Sequence, residues 1–235
     1  IILGIAGLIY PIKVQSTTVW REIPISLIAT ILFFGLANNF FINQNLDISR
    51  LDAILVFCSL LCFLYYISKQ LKQEKPSEFT YDNMSNYKIA ALVIFGIAGL
   101  IFGGKLVVDN AVTIATDLGV SQKIIGLTII AAGTSLPELV TSVVAAFKKN
   151  SDIAIGNVIG SNIFNILLIL SLSSFVNPIT YSSIFNQDLL ILIGGSFFLF
   201  LIMFIGKKHL LERWQAFILL GFYLGYTVFL VSKEL

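Results

Sequence analysis

The sequence predicts an all-α membrane protein, a polytopic helix bundle, and three observations support this prediction. Of the 235 residues, 57% are apolar and 12% are charged, whereas about a quarter of the residues in a soluble domain are charged. The chain divides into apolar stretches of about 20 residues, the length that a helix needs to cross a bilayer. Its longest polar stretch, residues 69–87, is too short to fold as a separate domain. Most of the chain is therefore expected to have lipid as its solvent.

The positions of the apolar stretches predict seven full transmembrane helices. The predicted spans are residues 22–40, 51–68, 88–115, 122–147, 153–176, 188–205 and 213–232. An apolar stub at residues 1–10 precedes them and is too short to cross the membrane. Since no basic segment comes before it, a signal peptide is a poor explanation. We expect the stub to be the end of a helix that begins upstream.

The basic residues fall mostly on one side of the predicted spans. Eleven of the fifteen lie in connections on that side: Lys13, Arg21, Lys69, Lys72, Lys75, Lys88, Lys148, Lys149, Lys207, Lys208 and Arg213. Arg50, Lys123 and Lys233 lie on the other side, and Lys105 lies within a span. The positive-inside rule then predicts a multi-pass protein of the inner or plasma membrane, with loop 69–87 in the cytoplasm and the C-terminus outside. A formal net charge of +2 argues against a nucleic-acid partner and leaves the lipid bilayer as the expected partner.

An internal repeat links the start of the chain to its second half. Residues 2–12 align without gaps on residues 169–179, and four positions are identical: Ile2/Ile169, Leu3/Leu170, Pro11/Pro178 and Ile12/Ile179. Each copy is followed by a polar stretch and two spans, and the two copies face opposite sides. This pattern is typical of inverted-topology repeats in secondary transporters. The predicted organisation is the end of a first repeat (1–68), the loop (69–87) and a second repeat (88–235) with its motif region at 121–170.

A carboxylate lies near the middle of the fourth predicted span. Inserting Glu138 there costs several kcal/mol unless the group is paired or solvated. Because Pro137 cannot donate a hydrogen bond to the Gly133 carbonyl, the helix is predicted to break just before the acid. Broken backbone at this depth is tolerated where it lines a polar cavity, and Thr134 and Ser135 add hydroxyl groups beside it.

The next span carries amide and hydroxyl groups on one face, at Asn157, Ser161 and Asn165. These groups either hydrogen-bond to a neighbouring helix or bind a cation. Oxygen ligands with one negative charge and no His or Cys suit Ca²⁺ or Na⁺ better than zinc or copper. Calcium takes six to eight oxygens, and Glu138, Thr134, Ser135 and a freed carbonyl such as that of Ala131 supply about half of them. The other half is expected from the upstream repeat.

Three segments of the motif region resemble a known family. They read LGVSQKIIGLTII at 118–130, GTSLPE at 133–138 and GNVIGSNIFN at 156–165. Together they closely resemble the second conserved repeat of the sodium/calcium exchanger family, within the calcium/cation antiporters. The resemblance implies ten helices in two inverted halves, of which this chain holds the end of the third to the tenth. The short loop resembles the prokaryotic type.

The resemblance also implies roles for individual residues. Glu138 is implied to be the central calcium-binding acid, and ligand roles are implied for the following residues: Thr134, Ser135, Ala131 through its carbonyl, Ser161 and Asn165. Several sodium-coupled relatives carry Asp at the position of Asn165, which leaves the coupling ion open. The expected function is export of Ca²⁺ in exchange for Na⁺ or H⁺, with the ions as cargo and no organic cofactor.

Three alternatives remain at this stage. A potassium-dependent or proton-coupled exchanger of divalent cations would use the same residues, and a cation channel could use the same polar faces as a pore. A hydrolase with Ser135 as nucleophile is disfavoured because the motif offers no His or Lys to activate the hydroxyl. The protein is therefore not expected to be an enzyme.

Overall fold

A computed structural model of the protein describes residues 1–38, 47–73 and 84–233, and most of this part of the chain is helical. The α-helices are α1 (Ile2–Ile9), α2 (Ile23–Ala37), α3 (Arg50–Gln73), α4 (Asn86–Asp117), α5 (Gln122–Ile125), α6 (Ala131–Thr134), α7 (Leu136–Phe147), α8 (Ser151–Phe164), α9 (Ser171–Val176), α10 (Asn186–Ile202) and α11 (Arg213–Ser232). The π-helical segments are Thr18–Glu22, Gly126–Ile130 and Asn165–Leu170, and Ser183–Phe185 is a 3-10 turn. The strands are β1 (Ile12–Lys13), β2 (Asp47–Ile48), β3 (Ile179–Thr180) and β4 (Leu210–Leu211).

The predicted polytopic helical membrane protein is confirmed. Within the described residues, six helices are long and apolar enough to cross a membrane: Thr18–Ala37, Arg50–Gln70, Asn86–Asp117, Ser151–Val176, Ser183–Ile202 and Arg213–Ser232. A seventh span results if the bent pair Thr128–Thr134 and Leu136–Phe147 is one crossing. These positions match the spans predicted from the apolar stretches to within six residues at each end.

Some boundaries differ from the prediction. Helix α3 continues to Gln73, so residues 69–73 of the predicted loop are helical. Lys, Leu and Gln are good helix formers, and their helix propensity extends α3 although the segment is polar. Residues 74–83 of the predicted loop lie outside the described residues, as do residues 39–40 of the first predicted span. The last two residues of the predicted loop, 86 and 87, belong to α4.

Helix α4 ends in a glycine cap that turns the chain toward α5. Gly119 has φ +79°, a left-handed conformation that glycine adopts without steric cost. The amides of Gly119 and Val120 donate to the carbonyls of Thr116 and Ala115, each over 2.9 Å. These bonds satisfy carbonyl groups that the end of a helix otherwise leaves without amide partners.

One compact unit contains α1, α4 to α7 and α11; it comprises Ile1–Pro11, Ser77–Asn150 and Arg213–Leu235. Helix α1 packs against α11 and α7. The backbones of α1 and α11 lie so close that a Cβ added to Gly4 would be 2.8 Å from Leu220 Cβ. At one end of this contact, the Arg213 guanidinium donates to the Ile9 carbonyl over 3.4 Å. The predicted apolar stub is thus a short helix packed on the last helix of the chain.

A second compact unit contains α2, α3 and α8 to α10; it comprises Ile12–Pro76 and Ser151–Glu212. Helix α2 packs against α10 and α8, and α3 packs against α9. Its core is formed by large apolar side chains that are almost fully buried, among them Val19, Ile23, Ile48, Ile155, Ile163 and Leu211. Burying side chains of this size provides the main stabilisation among helices that pack this closely.

The strands of this second unit pair reciprocally. Strand β1 is antiparallel to β4, with Ile12 opposite Leu211, and β3 is antiparallel to β2, with Ile179 opposite Ile48. Because Ile12 aligns with Ile179 in the predicted repeat, the first strand of each copy pairs with the second strand of the other. The helices follow the same rule, since α1 packs on α11 and α9 packs on α3. This reciprocity supports the predicted inverted repeat.

Candidate cation-binding residues

The fourth span breaks where Gly133 and Pro137 predict a break. The helical parts on either side, Thr128–Thr134 and Leu136–Phe147, are bent by 58° relative to each other. Ser135 lies between α6 and α7 with φ −96° and ψ 4°, outside helical geometry. Pro137 occupies the first turn of α7, where its missing amide costs nothing because those amides have no helical partner.

The break changes the hydrogen bonds of two predicted ligands. The Ser135 amide donates to the Ala132 carbonyl over 3.1 Å, not to that of Ala131 as a continuous α-helix would require. The Ala131 carbonyl accepts a hydrogen bond from the Thr134 hydroxyl instead, over 2.9 Å. The carbonyl and the hydroxyl that were predicted as neighbouring ligands are therefore in direct contact.

Glu138 lies in the first turn of α7, directly after the break. Its side chain is half-buried, and the Oε2 atom is buried. The amides at a helix N-terminus carry partial positive charge, and this charge stabilises a carboxylate in the first turn. Ser142, one turn further on the same face, is fully buried. The break thus presents an anionic group at a helix end, the place where an ionised carboxylate in this span costs least.

Helix α4 lies directly against the break, a contact that no sequence pattern predicts. A Cβ on Gly133 would overlap Val108 Cγ2, and a Cβ on Gly104 would be 3.9 Å from Leu136 Cβ. The remaining glycines of α4, at positions 96, 99 and 103, have open space around them. The glycine run in α4 signals close packing in general, but it does not indicate which glycine meets the break.

The predicted amide and hydroxyl face belongs to the second compact unit. Asn157 and Ser161 are half-buried and Asn165 is exposed, whereas Ile155, Ile159 and Ile163 on another face of the same span are buried. The Ser161 hydroxyl donates to the Val158 carbonyl over 3.1 Å. The predicted ligands at 131–138 belong to the first unit. We refer to Ala131, Thr134, Ser135 and Glu138 as the Glu138 group, and to Asn157, Ser161 and Asn165 as the amide face.

Two π-helical segments adjoin the predicted ligands. Gly126–Ile130 ends immediately before Ala131, and Asn165–Leu170 begins at Asn165 itself. A π-helical turn shifts the backbone hydrogen-bond pattern, and such turns often occur at functional sites. No sequence pattern indicated these segments.

The predicted ligands have the chemistry that hard cations prefer. Within the described residues, no group of three or more His, Cys, Asp or Glu side chains is arranged to hold a metal ion. The Glu138 group and the amide face offer hydroxyl, amide and carbonyl oxygens with one carboxylate. Ca²⁺ takes such oxygens in a flexible geometry, while zinc and copper favour nitrogen and sulfur ligands.

Comparisons with known proteins agree with this chemistry. Residues 88–232 match the family described as sodium/calcium exchanger protein. The putative antiporter CaxA of Alkalimonas amylolytica is 33% identical over an alignment of 243 positions, which covers 99% of this chain and 74% of CaxA. The sodium/calcium exchanger MaX1 of Methanosarcina acetivorans is 38% identical over 141 residues, 59% of this chain and 39% of MaX1. A solved structure of the sodium-calcium exchanger NCX_Mj, soaked with Na⁺ and Sr²⁺, has a TM-score of 0.76 at 29% identity and covers 97% of this chain and 71% of its own.

Proposed function

Because this chain belongs to the sodium/calcium exchanger family, a family of membrane transporters and not of enzymes, we propose that it exchanges Ca²⁺ for Na⁺ across a membrane. The observation that carries the proposal is the 58° bend between Thr134 and Leu136. The residues on either side of this bend offer a carboxylate, two hydroxyls and a backbone carbonyl as ligands. Broken helices at membrane depth are the places where secondary transporters bind ions. The activity is proposed for the whole protein, since this chain spans 74% of CaxA and 71% of the solved exchanger.

In the Glu138 group, the carboxylate supplies the charge and the neighbouring oxygens add neutral ligands. The Thr134 hydroxyl already donates its hydrogen to the Ala131 carbonyl. Its two lone pairs therefore point away from that bond and are available to a cation. The Ala131 carbonyl also keeps one lone pair, because a carbonyl oxygen has two. Ser135 adds a second hydroxyl at the bend.

In the amide face, the hydroxyl is oriented in the same way. Ser161 donates its hydrogen to the Val158 carbonyl, which leaves its lone pairs for a cation. Asn157 and Asn165 supply amide oxygens that carry no charge. Of these two groups, only the Glu138 group contains a carboxylate, so the charge that a cation neutralises lies there and not in the amide face.

The coordination number of calcium requires more oxygen ligands than this chain has been assigned so far. Calcium takes six to eight oxygens, more than the Glu138 group offers. An inverted repeat predicts a matching acid and hydroxyls in the first repeat, upstream of residue 1 in this numbering. We propose that this first repeat supplies the rest, so that residues 1–68 and 88–235 are parts of two inverted halves. The Lys and Arg distribution supports a cytoplasmic location for residues 69–87 and an outside location for the C-terminus.

Exchange, as opposed to one-way transport, follows from the cost of an empty site. A carboxylate in a low-dielectric interior is strongly destabilised without a counter-charge. One Ca²⁺ or the competing Na⁺ ions would each neutralise Glu138, so release of one is coupled to binding of the other. Only an occupied site would then allow the helices to change the side to which it opens.

The test is Glu138→Gln in the intact protein, reconstituted in vesicles. This change removes the charge and keeps the size, so sodium-driven uptake of radioactive calcium should fall by about 100-fold or more, as expected when a buried charge pair loses one partner at a cost of about 3–5 kcal/mol. Asp117→Asn, at the exposed end of α4, is the matched control and should leave uptake unchanged. Undiminished uptake in Glu138→Gln would refute the assignment.

The same vesicles discriminate among the rival functions. A channel would pass calcium without a counter-ion and without saturation. A proton-coupled or potassium-dependent exchanger would respond to a pH gradient or to potassium when sodium is replaced by choline. Saturable uptake that requires sodium alone supports the proposal.

A further inference from the structure

The second compact unit contains a polar cavity of about 230 Å³. Three elements line it: the segment from β1 into the π-helical turn, the end of α3 and the start of α8. The polar lining residues are Gln15, Thr18, Glu22, Gln70 and Asp152, and Ile155 contributes an apolar wall. None of them belongs to the Glu138 group or to the amide face, so the proposed exchange does not account for this cavity.

Thr18 points to a ligand in the cavity. Its side chain is only 7% exposed, yet it lines the cavity. Its hydroxyl forms no hydrogen bond with another residue in the part of the chain that the structure describes. The hydroxyl oxygen is therefore available to a ligand in the cavity, or to a water bound to that ligand.

The charge of the cavity defines the ligand. Glu22 and Asp152 come from different elements and line the same space, and neither forms an ion pair within the described ranges. Arg21, the nearest basic residue to Glu22 in the sequence, instead lies over the ring of Tyr66, with its Cζ 5.9 Å from the ring centroid. Two carboxylates without a neighbouring cation repel each other, repel phosphate groups of lipids, and attract a divalent cation.

We propose that this cavity binds a divalent cation that keeps part of its hydration shell. Glu22 and Asp152 supply charged oxygens, and Thr18, Gln15 and Gln70 supply neutral ones. The volume is ample for the ion together with several waters, each of which takes about 30 Å³ in the liquid. Calcium and manganese both accept such mixed sets of carboxylate, amide, hydroxyl and water oxygens.

Manganese binding to the intact protein tests the proposal. Electron paramagnetic resonance counts free Mn²⁺ in a titration of protein purified in detergent, with Glu138→Gln in every sample to remove the charge of the Glu138 group. This background should still bind one Mn²⁺. Adding Glu22→Gln and Asp152→Asn should weaken this binding at least tenfold. The matched control adds Asp109→Asn and Asp117→Asn, which remove two exposed charges of α4 outside the cavity, and should leave the affinity unchanged.

A gain of affinity keeps the test decisive if the double variant fails to fold. Gln15 is exposed, so Gln15→Glu is expected to fold and adds a third carboxylate to the cavity. It should tighten Mn²⁺ binding about fivefold to tenfold. No Mn²⁺ bound in the Glu138→Gln background, or an affinity that neither Gln15→Glu nor the double variant alters, would overturn the proposal. Mn²⁺ binding in the Glu138→Gln background does not depend on calcium uptake by the protein that retains Glu138. Failure of this proposal is therefore distinguishable from failure of the proposed exchange.

Discussion

The side chains of Asn38 and Asn186 form two hydrogen bonds with each other, 2.8 Å and 2.7 Å long. They join the end of α2 to the start of α10, two helices that pack along their length. The Tyr181 hydroxyl donates to the Oδ1 atom of Asn186 over 2.7 Å. The side-chain amide of Asn38 also donates to the Phe34 carbonyl over 3.0 Å. At this end of the α2 and α10 pair, polar groups therefore hold each other in one arrangement.

Replacing one asparagine of this pair should cost more than replacing both. Asn38→Leu leaves the Asn186 amide without its partner and should lower the free energy of unfolding by about 1–3 kcal/mol. All variants carry Tyr181→Phe, because the Tyr181 hydroxyl would otherwise lose its acceptor on Asn186. In this background, replacing both asparagines by Leu removes the partly buried polar groups together and should recover part of this loss. Thermal unfolding of the two single variants and the double variant in detergent measures the coupling. Additive losses would show that the two side chains do not act as a pair.

Tyr181 should make the protein sensitive to alkaline pH. Burial raises the pKa of Tyr181 above its usual value of 10.0, and the negative charge of Asp188 raises it further. A raised pKa in the folded state means that the unfolded state releases this proton more readily. The contribution of Tyr181 to stability is therefore complete below about pH 10 and is lost as the pH rises through the higher folded pKa.

The measurement compares melting temperatures of the wild type and Tyr181→Phe between pH 8 and pH 11. The difference between the two proteins should shrink above about pH 10, since that is where an unperturbed tyrosine ionises. The matched control is Tyr10→Phe, at a half-buried tyrosine of the other unit. A constant difference across this range would contradict the prediction.

A side chain at position 133 should disturb the helix break, because it would collide with Val108 of α4. Gly133→Ala places a Cβ where Val108 Cγ2 lies, and overpacking of this kind costs about 1–3 kcal/mol. Val108→Ala should restore much of the stability and calcium uptake in the double variant, because it vacates that space. Gly103→Ala, at a glycine of α4 with open space around it, is the control. If the double variant is as impaired as Gly133→Ala, the Val108 contact is not the cause.

Removing Pro137 should straighten the helix and misplace Glu138. Alanine at this position supplies the amide that a continuous helix donates to the Gly133 carbonyl. Calcium uptake should fall by about tenfold or more, because small displacements of a binding group are costly, while helical content stays the same or rises. Pro24→Ala is the matched control, since Pro24 also lies at the first turn of a helix but is not followed by a proposed ligand. Wild-type uptake in Pro137→Ala would contradict the role of the bend.

The parts of the fold that depend on local chemistry could be predicted from the sequence. Apolar length sets the spans, and Pro137 sets the break, because a missing amide acts on its own helix. The contact of Val108 with Gly133 depends on how two distant helices meet, and no local pattern encodes it. Strands of two residues, such as Ile12–Lys13, are likewise too short for a sequence signal. The end of α3 was misjudged because its polar residues are also good helix formers.

The reciprocal strand pairing has a consequence for synthesis of the chain. Ile12 pairs with Leu211, a residue 199 positions later (211 − 12). A ribosome adds about 5–20 residues per second, so the first strand emerges roughly 10–40 s before its partner exists. During that interval its backbone edge is open to wrong partners, such as a neighbouring nascent chain. A truncated transcript that ends before the codon for Leu211 therefore yields a chain in which β1 cannot pair with β4, even if its earlier helices insert correctly.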